Sequence, residues 1–113
     1  MSDLDAPRPL VSIRPRAVED IERHAEYLEA NTSPEVALRF RSSIMDAIER
    51  IAALPCAGAH REAANPRLSG LRMWIAPDFC NYLIFYLTPQ NRIEIVRVFH
   101  GVQDINSIIE DEG

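Results

Sequence analysis

Not one lysine occurs among the 113 residues; all twelve basic side chains are arginine. The codon bias of a GC-rich genome is the expected cause, and the absence implies no mechanism. Cysteine is nearly as scarce. Cys56 and Cys80 are the only two, with neither CxxC spacing nor clustered histidines to complete a zinc site. Such thiols read as reduced, buried or half-buried side chains. No apolar run approaches the ~20 residues that cross a bilayer. The opening Met1-Ser2-Asp3-Leu4-Asp5 lacks the basic and apolar regions of a signal peptide. A glycine-rich phosphate loop and a Ser/His/Asp set are missing too, so neither a cofactor nor a metal is expected. These absences leave a soluble, cytoplasmic domain with no membrane partner as the expectation.

What is present fits one ordinary core. The chain has the commonest length of a single domain, and its 47% hydrophobic and 26% charged residues match a globular composition. Residues 1–9 carry Pro7 and Pro9 among charges and are expected to be loose; residues 10–113 then form the single domain. The net charge of −5 argues against sequence-blind adhesion to nucleic acid. That charge is uneven. Acids gather between Glu19 and Glu49, whereas six arginines from Arg50 to His100 face only Glu62, Asp78 and Glu94, which leaves a local basic patch for an acidic partner.

Periodicity supplies the elements. Leu10–Arg14 alternates as a short strand, ended by Pro15. Val18, Ile21, Ala25 and Leu28 then recur at helical spacing. Ser33-Pro34-Glu35 starts a second helix with an N-cap, a proline in the first turn and an acid favoured by the dipole. Its apolar stripe is Ala37, Phe40, Ile44, Ile48, Ile51 and Leu54. The short gap between the helices forces an antiparallel hairpin. Residues 55–69 read as a loop. Three strand-like runs follow, at Leu71–Ile75, Tyr82–Leu87 and Ile93–Phe99, the last apolar on both faces as a central strand would be. Turns at Pro77-Asp78 and Pro89-Gln90-Asn91 make them an antiparallel meander. Asp104, with Ile105, Ile108 and Ile109, reads as a short last helix. The expected fold is α+β: an N-terminal strand, a helical hairpin, a three-stranded meander and a short C-terminal helix.

The ordered set Asn81-Tyr82-Leu83-Ile84-Phe85-Tyr86, Arg92 to Gly101 (RIEIVRVFHG) and Asp104-Ile105 closely resembles the C-terminal pattern of ParE-type toxins, within the ParE/RelE superfamily. Glu19-Asp20-Ile21, Leu54-Pro55 and Leu68-Ser69-Gly70-Leu71-Arg72 resemble upstream signatures of the same family, so the likeness runs from about residue 13 to 109. The resemblance implies the toxin of a type II toxin–antitoxin module, a plasmid-stabilisation-type protein silenced by a cognate antitoxin with which it forms a hetero-oligomer. ParE-type members inhibit DNA gyrase; RelE-type members cut mRNA on the ribosome. A non-toxic orphan member is the third possibility.

An RNA-cleaving member must activate a 2′-hydroxyl, stabilise the phosphate and protonate the leaving oxygen. Candidates are His100, Arg97, Arg72, Arg61 and Tyr86. His100 is also readable as the residue that closes the last strand before Gly101, and that reading is preferred. Arg72 and Trp74 share a strand face and could stack a base, although a tryptophan there more often packs on a helix. For a binding inhibitor, the target-contacting candidates are Arg61, Arg67, Arg72, Trp74, Arg97 and His100. His24 and His60 are expected at the surface.

Overall fold

The computed structural model describes residues 9–101, 103 and 105–110. The expected loose segment therefore falls, but for Pro9, outside the described residues, as does Asp104. Eight elements follow in order: β1 (Leu10–Ile13), α1 (Pro15–Asn31), α2 (Pro34–Ala53), β2 (Ala59–His60), β3 (Arg72–Ile75), β4 (Tyr82–Leu87), β5 (Arg92–His100) and α3 (Ile105–Glu110). This is the expected α+β plan with one addition. The run 55–69 is not wholly loop, because Ala59 and His60 add a two-residue strand on the edge of β3. No helix among the described residues is long and apolar enough to cross a membrane.

The helix starts follow from local chemistry. Pro15 and Pro34 both enter in the first turn, where a missing N–H costs no helical bond. The Ser33 side chain accepts from Val36 N–H at 3.2 Å and caps α2. Thr32, between the helices, returns its N–H to Leu28 C=O at 2.8 Å. The chain reverses there, and the Arg41–Glu22 ion pair links the two antiparallel helices.

The sheet order is β1-β5-β4-β3-β2. The meander β3–β4–β5 is antiparallel, whereas β1 joins β5 in parallel, with the α1–α2 hairpin as part of the crossover. Side chains of β4 alternate between two cores, as a pleated strand requires. Tyr82, Ile84 and Tyr86 meet Phe40, Ile44 and Ile51 of the hairpin, while Phe85 and Leu87 face Leu68, Leu71 and Ile109 on the other side. A bulge opposite the Phe85-Tyr86 step switches the parity of β5. Ile93 and Ile95 face the hairpin before it, and Val98 after it. Phe40, Ile44 and Ile51 are wholly buried, each contributing roughly 1.5–3 kcal/mol of apolar burial.

Several side-chain expectations do not hold. Val18 is 47% exposed, because the buried stripe of α1 runs instead through Ala17, Asp20, His24, Ala25 and Leu28. Leu54, just past the end of α2, is 61% exposed. Both thiols, at Cys56 and Cys80, are free and exposed, not buried, since each sits in a connecting segment and not on a core-facing element.

Candidate partner-binding surface

Two of the sequence candidates are occupied in holding the fold. β1 covers only Arg92–Ile95 of β5. Beyond it the strand edge meets α1, and side chains of that helix replace the missing strand. Asp20 accepts from Val98 N–H at 3.0 Å, and His24 Nε2 lies 3.0 Å from Val98 C=O. A carbonyl can only accept, so Nε2 carries the proton. Arg97 closes the arrangement with a two-pronged bond onto Asp20, at 2.7 and 2.8 Å. Its guanidinium also lies 4.7 Å from the centre of the Phe99 ring. At 4% exposure, Arg97 presents nothing to a macromolecular partner.

His24 is likewise buried, contrary to expectation. It stands edge-on to Tyr82 at 5.0 Å and to Phe40 at 6.2 Å. Burial pulls its pKa below 6.5; the Val98 carbonyl and the Asp20 charge oppose that shift, while Arg23 and His100 add to it. The positions were readable as one face, since 17, 20, 24 and 28 fall at helical spacing. Their polarity is what hid them. His60 is exposed, as expected.

Tyr86 is the second occupied candidate. Its wholly buried ring carries a hydroxyl that donates to Pro55 C=O and accepts from Gly58 N–H, each at 3.0 Å. Burial pushes its pKa above 10, partly offset by the Gly58 bond and the Arg72 charge. A Cβ on Gly58 would overlap that hydroxyl and come within 2.8 Å of Cζ, so glycine is required here by contact. Arg72, the register partner of Tyr86 on β3, grips the same segment by donating to Cys56 C=O at 3.0 Å and Gly58 C=O at 2.8 Å.

The remaining candidates divide between two ends of the meander. Arg61, Arg67 and Arg72 belong to the β2–β3 end. Arg61 N–H bonds Leu71 C=O at 2.9 Å, and its guanidinium spans the Phe85 ring (5.8 Å) and Asn106 Oδ1 (2.6 Å). Arg67 is exposed on a 3-10 turn capped by Asn65. Trp74, half-buried, packs against the hairpin core. His100 closes β5 at the other end, opposite Tyr82. Its N–H bonds Gln103 Oε1 at 2.8 Å, and its ring stands edge-on to Tyr82 at 4.8 Å. Arg72 pairs with Tyr86 and His100 with Tyr82, four positions apart on β4. That spacing separates them by about 13 Å along the strand. The two side chains are also held apart, Arg72 by the Cys56 and Gly58 carbonyls and His100 against the Tyr82 ring. Among the described residues, no group of three or more His, Cys, Asp or Glu side chains is placed to hold a metal.

Residues 11–105 match the family profile described as the ParE toxin of the type II toxin–antitoxin system, parDE. Among solved structures, the chain is similar to one from the chromosomal ParDE toxin–antitoxin system of P. aeruginosa. The TM-score is 0.68 at 17% identity, covering 82% of this chain and 96% of that one. No curated protein matches.

Proposed function

Because the chain belongs to the ParE toxin family of type II toxin–antitoxin systems, we propose that it acts by binding and inhibiting DNA gyrase and is neutralised by a cognate antitoxin. The observation that carries the binding mode is the dispersal of the chemistry-bearing side chains. Arg97 and Tyr86 are spent on internal bonds, and His100 lies a strand's length from Arg72. General acid–base cleavage needs such groups within hydrogen-bond reach of one reacting centre. A recognition surface needs only exposed charge and a rigid support. Arg67, exposed, and Arg61, half-buried, bring positive charge to the β2–β3 end, with Arg72 and Trp74 on β3, so that end is the surface we assign to the target.

The competing reading, ribosome-dependent mRNA cleavage, draws on one contact, the His100 ring against Tyr82. Inducing the protein alone in a bacterial host and following labelled thymidine and methionine over the first minutes separates the two. DNA synthesis falling first supports gyrase inhibition. Translation collapsing first overturns it and makes His100 the leading candidate for catalysis.

A further inference from the structure

Glu35, Arg39, Asp46, Glu49 and Arg50 of α2 are all exposed, and among the described residues none of them forms an ion pair. Glu35–Arg39 and Asp46–Arg50 stand in the i, i+4 order that favours pairing on a helix, yet neither pair closes. The paired charge of α2, Arg41, lies on the flank towards α1, where it meets Glu22.

The unpaired charges share one face. Glu35, Arg39, Ser42, Asp46, Glu49 and Ala53 follow at steps of four, three, four, three and four residues, so the stripe runs nearly straight along the helix. Arg50 flanks it. The core residues of α2, Phe40, Ala47 and Ile51 among them, lie on the opposite side. Beside the stripe is a groove whose far wall is the Pro77–Phe79 turn. That wall is fixed, because Ser43 Oγ donates to Pro77 C=O and Phe79 N–H returns to Ala76 C=O at 3.3 Å.

The order of charge along the stripe selects the occupant. Laid antiparallel on a second copy of itself, with the two-fold axis between Ser42 and Ser43, the stripe meets opposite charge. Arg39 faces the partner's Asp46, and Glu35 faces the partner's Arg50. Symmetry repeats each pair, so a single register satisfies all four. Glu49, one turn beyond Asp46, adds to the negative potential that Arg39 meets. A parallel arrangement fails, since it would set Arg39 against Arg39 and Asp46 against Asp46. At the axis the short, exposed Ser42 leaves room for two helices to pack at the usual separation of about 8–10 Å.

We propose that the outer stripe of α2 is a self-association surface, on which a second copy of this chain packs antiparallel to form a two-fold dimer. Exposed ion pairs are individually weak and screened by salt. A contact made by one helix and one turn also lies at the small end of protein interfaces. The dimer is therefore transient, dependent on concentration and sensitive to salt. The two-fold sets the C-terminal ends of α2 apart, so the β2 strands that begin six residues beyond Ala53 lie at opposite ends of the dimer. Each copy then keeps its β2–β3 end away from the axis.

Sedimentation velocity of the purified full chain, over a concentration series at low and high salt, reads the dimer directly. Arg39→Glu and Asp46→Arg each set like charges against one another across the axis. Combined in one chain they restore opposite charge, and so does an equal mixture of the two single variants. The expected result is a wild-type dimer that salt weakens and at least a tenfold rise of the dissociation constant in each single variant. Both the double variant and the mixture should recover the dimer. Thermal melts establish folding; if a single variant is not folded, Ser42→Glu, which sets two carboxylates at the axis, decides with the same tenfold loss. A wild-type chain that stays monomeric at every soluble concentration overturns the dimer and leaves the face to a different protein. A dimer that no folded variant weakens lies on another surface, which overturns the assignment equally. Loss in the single variants without recovery in the mixture overturns the antiparallel register, and the proposal with it.

Discussion

Asp20 of α1 and Arg97 of β5, 77 residues apart, form a buried two-pronged ion pair while Asp20 also holds the Val98 N–H. One carboxylate thus satisfies a cation and a strand edge that β1 is too short to cover. Removing Arg97 leaves the buried Asp20 carboxylate with only the exposed Arg23 guanidinium, at 3.4 Å, as a cationic partner, at a cost of up to about 3–5 kcal/mol. Arg97→Met should therefore destabilise by about that amount. Adding Asp20→Asn removes a buried anion left with only the exposed Arg23 but keeps an acceptor for Val98 N–H, so the double variant should be more stable than Arg97→Met alone. Urea melts of both check this; additive losses would contradict it.

His24 makes the fold sensitive to mild acid. Burial depresses its pKa below 6.5 in the folded state, so below pH 6.5 the unfolded chain binds more protons. The stability contributed by neutral His24 is present above pH 6.5 and is lost as pH falls towards the folded value. Its surroundings are Asp20 and Arg23 on its own helix, His100 from β5, and the rings of Phe40 and Tyr82. Melting temperature should fall between pH 7 and pH 5, and His24→Gln should flatten that slope. An unchanged slope in the variant would place the sensitivity elsewhere.

The Tyr86 hydroxyl should matter for stability and not for toxicity. Tyr86→Phe orphans Gly58 N–H and Pro55 C=O, at about 1–3 kcal/mol. Gly58→Ala should be at least as damaging, because the new methyl overlaps the same hydroxyl. At a temperature where the Tyr86→Phe protein is fully folded, its growth inhibition should equal that of the wild type. A folded but inactive Tyr86→Phe would give the hydroxyl a role at the target.

Much of this architecture is legible in residue order. Ser33-Pro34 marks the start of α2 through capping and proline geometry, and the doubly apolar β5 announces a central strand. Other features are carried by contacts that no local pattern encodes. Ala59 and His60 form a strand only because β3 offers an edge. Val18 and Asp20 exchange the positions that hydrophobicity would give them, because Val98 and Arg97 need a carboxylate more than α1 needs a valine. Arg97 and Tyr86 look reactive by type, and only the packing shows that both are already bonded. Arg67, by contrast, stays exposed.

Charge at the β2–β3 end should govern target affinity. Arg67→Glu reverses an exposed cation without touching the core. It should weaken growth inhibition several-fold and reduce the salt dependence of target binding, in protein that a thermal melt shows to be folded. Equal toxicity of wild type and variant at matched expression would move the target surface away from this end.

The central claim is inhibition of gyrase by binding, and the most direct measurement is DNA supercoiling by purified gyrase titrated with this protein and with His100→Ala. Dose-dependent inhibition by both proteins, with no mRNA cleavage on ribosomes, is the predicted result. Undiminished supercoiling at saturating toxin, together with ribosomal mRNA cleavage that disappears in His100→Ala, would contradict it.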